Sequence, residues 1–247
     1  MSGLDLGAVE VLLCDADGNL FPSEEPAFDA SAGVTNRLLE RLGVARRFTA
    51  DELRRGTTGK NFRTTATELA SAFGAELPAA ELEDWVEEEK RRVTAHLAAT
   101  LRPVEEVVAP LRALAERYRL AAVSSSAAAR LDACFEATRL AALFPAELRF
   151  SAEDSLPVPA SKPDPAIYAH AGEVLGIAGA EGLAVEDAVP GVQSAVAAGF
   201  PVLGNVVFVP PDERPARARA LLDAGAAEVV GGWRELEALL ALQPEAC

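Results

Sequence analysis

Apolar and polar positions change their spacing twice along the chain. Residues 9–14 (Val-Glu-Val-Leu-Leu-Cys) form a short apolar, β-branched run that predicts a strand, and it ends in the acidic turn Asp15-Ala16-Asp17-Gly18-Asn19. From Glu24 to Ala99 no comparable strand occurs. Apolar residues there recur at helical intervals over 35–42, 62–73 and 82–97, and Gly43, Gly56, Gly59, Gly74 and Pro78 separate them. Pro103 opens a helix reaching to about residue 118. Beyond it the pattern alternates. Strand 120–123 leads through Ser124-Ser125-Ser126 into helix 127–138, and a short strand near 147–151 leads through a Pro- and Ser-rich loop into helix 165–175. Strand 183–185 runs into Glu186-Asp187 and helix 192–198; strand 202–205, helix 215–224, strand 228–230 and helix 234–242 follow. Strands alternating with helices of this length predict an α/β fold, a parallel sheet with helices on both faces. The all-helical stretch interrupts that sheet after its first strand. It reads as an inserted all-α domain over 23–102, in a core built from 1–22 and 103–247.

Composition narrows the function classes. The chain has 247 residues, half of them apolar and a quarter charged, ordinary proportions for a globular protein with a real core. Its formal charge of −15 repels phosphate backbones and acidic lipid, so neither nucleic acid nor membrane is an expected partner. No apolar run approaches the roughly 18 residues of a spanning helix, and residues 1–10 carry two acids and no basic residue, unlike a signal peptide. Cys14, Cys134 and Cys247 share no metal-type or CxxC spacing. A soluble, cytoplasmic protein is expected.

Ligands of open parallel sheets sit beyond the carboxyl ends of the strands. The residues at those ends are Asp15 and Asp17, then Ser124, then Glu186 and Asp187, with Lys162 in the loop before the next helix. Acids from two strand ends make an oxygen-rich site suited to a hard cation such as Mg²⁺. A hydroxyl and an ammonium facing it suit a phosphate. Singly each residue has an ordinary explanation: a turn for Asp-x-Asp-Gly, a helix cap for Ser124, a solvated lysine, acids at a helix N-terminus. Their placement at the same end of successive strands, in order, is what carries weight.

In these residues the chain resembles the haloacid dehalogenase superfamily, in the phosphoglycolate phosphatase and β-phosphoglucomutase-like branch with an α-helical cap. The motifs are Val11-Leu12-Leu13-Cys14-Asp15-Ala16-Asp17-Gly18, Leu120-Ala121-Ala122-Val123-Ser124, Ser161-Lys162-Pro163-Asp164-Pro165, and Val185-Glu186-Asp187 with Pro190-Gly191 behind it. The resemblance implies a Rossmann-like core and a Mg²⁺-dependent phosphatase acting on a small phosphorylated metabolite, a sugar or polyol phosphate. It implies that Asp15 is the nucleophile, forming an aspartyl-phosphate, and that Asp17 is the general acid and base. Ser124 would hold a phosphoryl oxygen with Ser125 beside it, and Lys162 would offset developing charge. Mg²⁺ would be held by Asp15, the Asp17 backbone carbonyl, Asp187 and Glu186. An acid at Asp17 disfavours carbon–halogen cleavage, and the absence of histidine before His96 makes a phosphoglucomutase-like transferase the weaker alternative.

Asn19, Pro22 and Ala188 depart from the family pattern, where Thr, Asp and Ser are usual, and they motivate the alternative of a non-catalytic binding protein. Residues 54–63 hold four cations and no acid, at the place of a Gly-containing turn between two cap helices that closes over the site in relatives. Lys60 and Arg63 are therefore candidate substrate contacts. Their competing reading is a pair of solvated helix ends. Phe73 and Trp85 are expected in the cap core or its interface.

Overall fold

The short apolar runs assemble into one sheet. A computed structural model of the chain describes residues 6–57 and 61–241. Its strands are β1 (Val11–Cys14), β2 (Arg119–Ser124), β3 (Arg149–Ser151), β4 (Gly182–Glu186), β5 (Val202–Asn205) and β6 (Glu228–Val230). Their spatial order is β3-β2-β1-β4-β5-β6, and every pairing is parallel. All four residues of β1 are buried, as expected of a strand covered on both faces. Its last residue, Cys14, registers against Ala122 of β2 and Val185 of β4. Later strands add to one side of β1 as β2 and β3 and to the other as β4 to β6. The strand order thus reverses at β1, and a crevice at such a switch point is where open α/β sheets place ligands.

Ten α-helices complete the described chain: α1 (Glu24–Arg41), α2 (Ala50–Thr57), α3 (Phe62–Ala72), α4 (Ala79–Thr100), α5 (Glu105–Leu114), α6 (Ala128–Thr138), α7 (Ala166–Leu175), α8 (Val189–Ala197), α9 (Arg214–Asp223) and α10 (Trp233–Ala241). Alternation along β1 sends Val11 and Leu13 to one face, where they join Ala121 and Val123 of β2, Ile167 and Tyr168 of α7, and Val192 of α8 in one apolar cluster. Leu12 and Cys14 face the other way and lie outside that cluster, as do the buried residues of α5 and α10, which pack on each other. Helices therefore cover both faces of the sheet.

The chain divides into two compact units, Met1–Pro22 with Arg102–Cys247, and Ser23–Leu101. The second unit is all-helical. Arg37 of α1 meets Glu88 of α4 at 2.7 Å, and the Asn36 side chain exchanges two hydrogen bonds with the Phe48 backbone. Two expectations change here. Phe73, expected to be buried, is 43 % exposed, because it caps the C-terminus of α3 after the last core-facing turn. Residues 54–57, expected in a turn, continue helix α2, where Asp51 pairs with both Arg54 and Arg55 one turn on. No described helix is long and apolar enough to cross a membrane.

Candidate active site

Asp15 directly follows β1. Its backbone N–H donates to the Val185 carbonyl of β4 at 2.9 Å, which holds its carboxylate beside the next strand's Glu186 and Asp187. An oxygen each from Asp15, Glu186 and Asp187 lies within 4.8 Å of the others. The chain can bring Asp187 this close because Gly18 has no side chain and takes φ +82°. A Cβ there would stand 2.4 Å from Asp187 Oδ2. Gly191, in the first turn of α8, makes room for Glu186 in the same way: a Cβ would fall 1.9 Å from Glu186 Oε2.

Lys162 sits among these acids, its side chain 6 % exposed. Its ammonium donates three bonds, to Asp15 Oδ1 at 2.5 Å, Glu186 Oε1 at 2.6 Å and the Val123 carbonyl at 2.7 Å. Three donors meet three acceptors, so its position is fully determined. Burial disfavours its charge, but Asp15 and Glu186 outweigh burial and hold the ammonium above its usual range. Tyr168 of α7 donates to the same Glu186 oxygen at 2.6 Å, and its ring stands 5.0 Å from the ammonium. Burial, with Glu186 adding to it, keeps that phenol protonated well above its ordinary value.

The acids outnumber the cations that reach them. Burial raises the Asp15 carboxyl well above the usual range; Lys162 pulls it down while Glu186 and Asp187 push it up. Asp187 is pushed up to about 8 by burial and then by Glu186, against the pull of Arg217 and Lys162. An all-oxygen donor set with surplus negative charge fits a hard divalent cation such as Mg²⁺.

Two residues past Asp15, the Asp17 carboxylate is held at both oxygens. Ser126 Oγ donates to Oδ2 at 2.6 Å, and Arg130 of α6 donates to Oδ1 at 2.9 Å. Ser124, at the end of β2, is 1 % exposed and accepts the Ser126 N–H at 3.0 Å, which leaves its hydroxyl proton available. It does not cap α6, whose N-cap is Ala127. Ser125 Oγ accepts the Lys162 N–H at 3.2 Å.

An Asp, an acid two residues on, a hydroxyl, a lysine and a paired Glu-Asp thus converge at the carboxyl ends of β1, β2 and β4. The sequence profile of the haloacid dehalogenase-like hydrolases matches residues 9–199, a span containing all of them. The chain belongs to the haloacid dehalogenase-like hydrolase family. Solved structures of this fold include a conserved haloacid dehalogenase-like protein of unknown function from Agrobacterium tumefaciens, 26 % identical with a TM-score of 0.72 over 94 % of this chain and 98 % of that one. A HAD family hydrolase from Deinococcus radiodurans with bound phosphate and sodium is 27 % identical, TM-score 0.70, over 97 % and 100 %. A Thermotoga maritima protein with the provisional name β-phosphoglucomutase is 26 % identical, TM-score 0.69, over 94 % and 99 %. No curated protein matches the chain.

Within this haloacid dehalogenase-like hydrolase, the expected core residues fall into two bonded groups: Asp15, Lys162, Glu186 and Ser125 with Asp187 beside them, and Asp17 with Ser124 joined through Ser126. Two cap residues were also expected as substrate contacts. Lys60 lies outside the described residues, and Arg63 of α3 is committed to a two-oxygen ion pair with Glu83 of α4. Four residues that touch these groups were not foreseen. Ser126 is the third serine of the run, and Arg130 lies one helical turn on from it, a spacing that presents both to one target. Tyr168 follows Lys162 by six positions. Arg217 of α9, which donates to the Asp187 carbonyl at 2.9 Å, carried no local signal.

Proposed function

We propose that this chain is a Mg²⁺-dependent phosphomonoester hydrolase acting on a small phosphorylated metabolite, a sugar or polyol phosphate, through an aspartyl-phosphate on Asp15. The observation that carries the reading is the pairing of two differently held carboxylates on one turn. Asp15 is clamped by Lys162 with one oxygen, in the midst of Glu186 and Asp187. Asp17 is held at its two oxygens by Ser126 and Arg130. Unlike environments suit unlike tasks, attack for one and proton transfer for the other.

In this reading the free oxygen of Asp15 attacks phosphorus, while Ser124, Ser125 and Lys162 stabilise the phosphoryl oxygens. Asp17 gives its proton to the departing alkoxide, then takes one from the water that cleaves the acyl phosphate, so the enzyme returns to its starting state. Asp15, Glu186 and Asp187 with the Asp17 backbone carbonyl would hold Mg²⁺, which when bound supplies positive charge against the repulsion between a carboxylate and a phosphate dianion. Lys60 and Arg63 are proposed as further substrate contacts. The phosphate found with the Deinococcus radiodurans protein supports a phosphorylated ligand for this chain too.

The test is phosphate release from sugar phosphates, polyol phosphates, phosphoglycolate and nucleotides, with Mg²⁺ and with EDTA. Mg²⁺-dependent release favouring one class is expected. Asp15→Asn is expected to lower turnover by at least about a thousandfold while the thermal transition stays near the wild-type value. Wild-type turnover by Asp15→Asn would overturn the mechanism. Transfer of phosphate between two positions of one sugar would reassign the chain as a mutase.

A further inference from the structure

Asn19 replaces the residue usual after Asp-x-Asp-Gly, and the hydrolytic chemistry above gives it no task. It is nonetheless wholly buried, and its amide is bonded through both protons and the oxygen. Nδ2 donates to the Asp15 carbonyl and to the Val185 carbonyl, each at 3.0 Å. Oδ1 accepts from Asn205 Nδ2 at 2.8 Å, and Asn205 Oδ1 in turn accepts the Val207 N–H at 3.1 Å. The Asn19 carbonyl accepts the indole N–H of Trp233, the first residue of α10, at 2.9 Å. Both asparagines and Trp233 are 0 % exposed.

The location of this clip matters more than its size. The ladder between β1 and β4 ends at the pair Cys14 and Val185. One residue further on, Asp15 faces Glu186 and Asp187, and three carboxylates at this spacing repel one another. That repulsion acts just where the register pairs of the two strands stop. Asn19 bridges the two strand ends, with one amide on the carbonyls of Asp15 and Val185, and Asn205 anchors the amide to the end of β5. Buried amides bonded at both the nitrogen and the oxygen have one favoured orientation, so they transmit position and not merely cohesion.

We infer that Asn19, locked by Asn205, is a positioning residue that sets the spacing between Asp15 and the Glu186-Asp187 pair, and through that spacing the affinity of the acidic cluster for a divalent cation. The inference takes the cluster's cation from the proposed function but not the phosphatase reaction. It acts as outer-shell partners of metal ligands do, whose loss costs about 10–100-fold in metal affinity or activity.

The experiment uses the full chain, wild type and the shape-matched variants Asn19→Leu, Asn205→Leu and Asn19→Leu/Asn205→Leu. Mg²⁺ binding is read by calorimetry, folding by thermal melting, and turnover as kcat and KM for the best ester. Asn19→Leu is expected to weaken Mg²⁺ binding about tenfold or more and to lower kcat with it. KM is expected to move less than kcat. Asn205→Leu leaves both Asn19 donors in place, so a smaller loss is expected. The double variant removes the orphaned amide that either single leaves, so its melting temperature should recover toward wild type. Its Mg²⁺ affinity should remain as low as that of Asn19→Leu.

Recovery of affinity along with stability in the double variant would make the pair structural and overturn the inference. So would unchanged affinity in a folded Asn19→Leu, or a wild-type chain that binds no Mg²⁺. If Asn19→Leu does not fold, the Asn205→Leu and double variants still decide between these outcomes. Asn19-dependent Mg²⁺ binding in a chain that releases no phosphate would uphold the inference and overturn the phosphatase reading. Normal Mg²⁺-dependent turnover with Mg²⁺ affinity independent of Asn19 would do the reverse.

Discussion

Lys162 shows how one side chain can hold a site together while sitting in its least favourable environment. Its ammonium is buried, which by itself disfavours charge, yet two carboxylates and a carbonyl take all three of its donors. Removing it leaves Asp15 and Glu186 buried with no ammonium between them. Breaking a buried ion pair from one side costs about 3–5 kcal/mol, so Lys162→Met is expected to lower the melting temperature by roughly 6–20 °C for a chain of this size. Added Mg²⁺ should restore part of that loss, since a cation bound only by the folded state stabilises it. Melting curves with and without Mg²⁺ check this; a melting point at wild-type level without the metal would show that Lys162 contributes no net stability. At the same scale, Asp15, Asp17 and Lys162 could be singled out as candidates because Asp-x-Asp-Gly at a strand end and Lys-Pro in a later loop have few other reasons to recur in that order. Tyr168 was not, because an aromatic on the inner face of a helix is equally at home in a core.

At the level of elements, the site depends on where strands stop and where helices start. β4 ends on Glu186, and α8 begins at Val189, so the first turn of α8 packs directly on the Glu186 carboxylate. Gly191 is the residue that allows it. Gly191→Ala would place a methyl group where Glu186 Oε2 lies, and the helix backbone has little freedom to retreat. A loss of about 1–3 kcal/mol is expected from overpacking, visible as a lower urea midpoint, with Glu186 displaced from Lys162 and activity reduced. An unchanged midpoint would mean that Glu186 has another rotamer available at no cost. The alternation of strand and helix that positions these ends was legible from hydrophobic spacing alone. Boundaries were less so: α2 continues through residues 54–57, where glycine and threonine suggested a turn, because Asp51 pairs with two arginines along the helix.

For the whole molecule, net charge opposes its own proposed substrate. A chain of charge −15 repels a phosphate dianion at long range, whatever the grip at short range. Raising ionic strength from roughly 0.01 M to roughly 0.15 M shortens the screening length from about 30 Å to about 8 Å. The expected result is a rise in kcat/KM, by about twofold or more, with kcat little changed. A fall with salt would instead show that a local cationic surface steers the substrate and outweighs the total charge. The same order of strands that gives the sheet its switch point also brings Asn205 to Asn19 across 186 residues, a pairing that no local pattern signals.

The division between sequence and structure follows from the range of the forces. Residue-level periodicity, turn chemistry and the family motifs act within a few neighbours, so the α/β class, the helical insert and the acids at the ends of β1 and β4 could all be read along the chain. Contacts that close the site come from residues distant in sequence: Arg130 and Ser126 on Asp17, Tyr168 on Glu186, Arg217 at Asp187, and the Asn19–Asn205 amides beneath Asp15. Which of many polar side chains meets which acid is set by strand order, register and close packing at Gly18 and Gly191. Those exist only once the sheet has formed. The candidate site residues were therefore legible locally in the chain, while their geometry was decided by the tertiary fold, because short-range propensity specifies elements and only long-range packing fixes the distances between them.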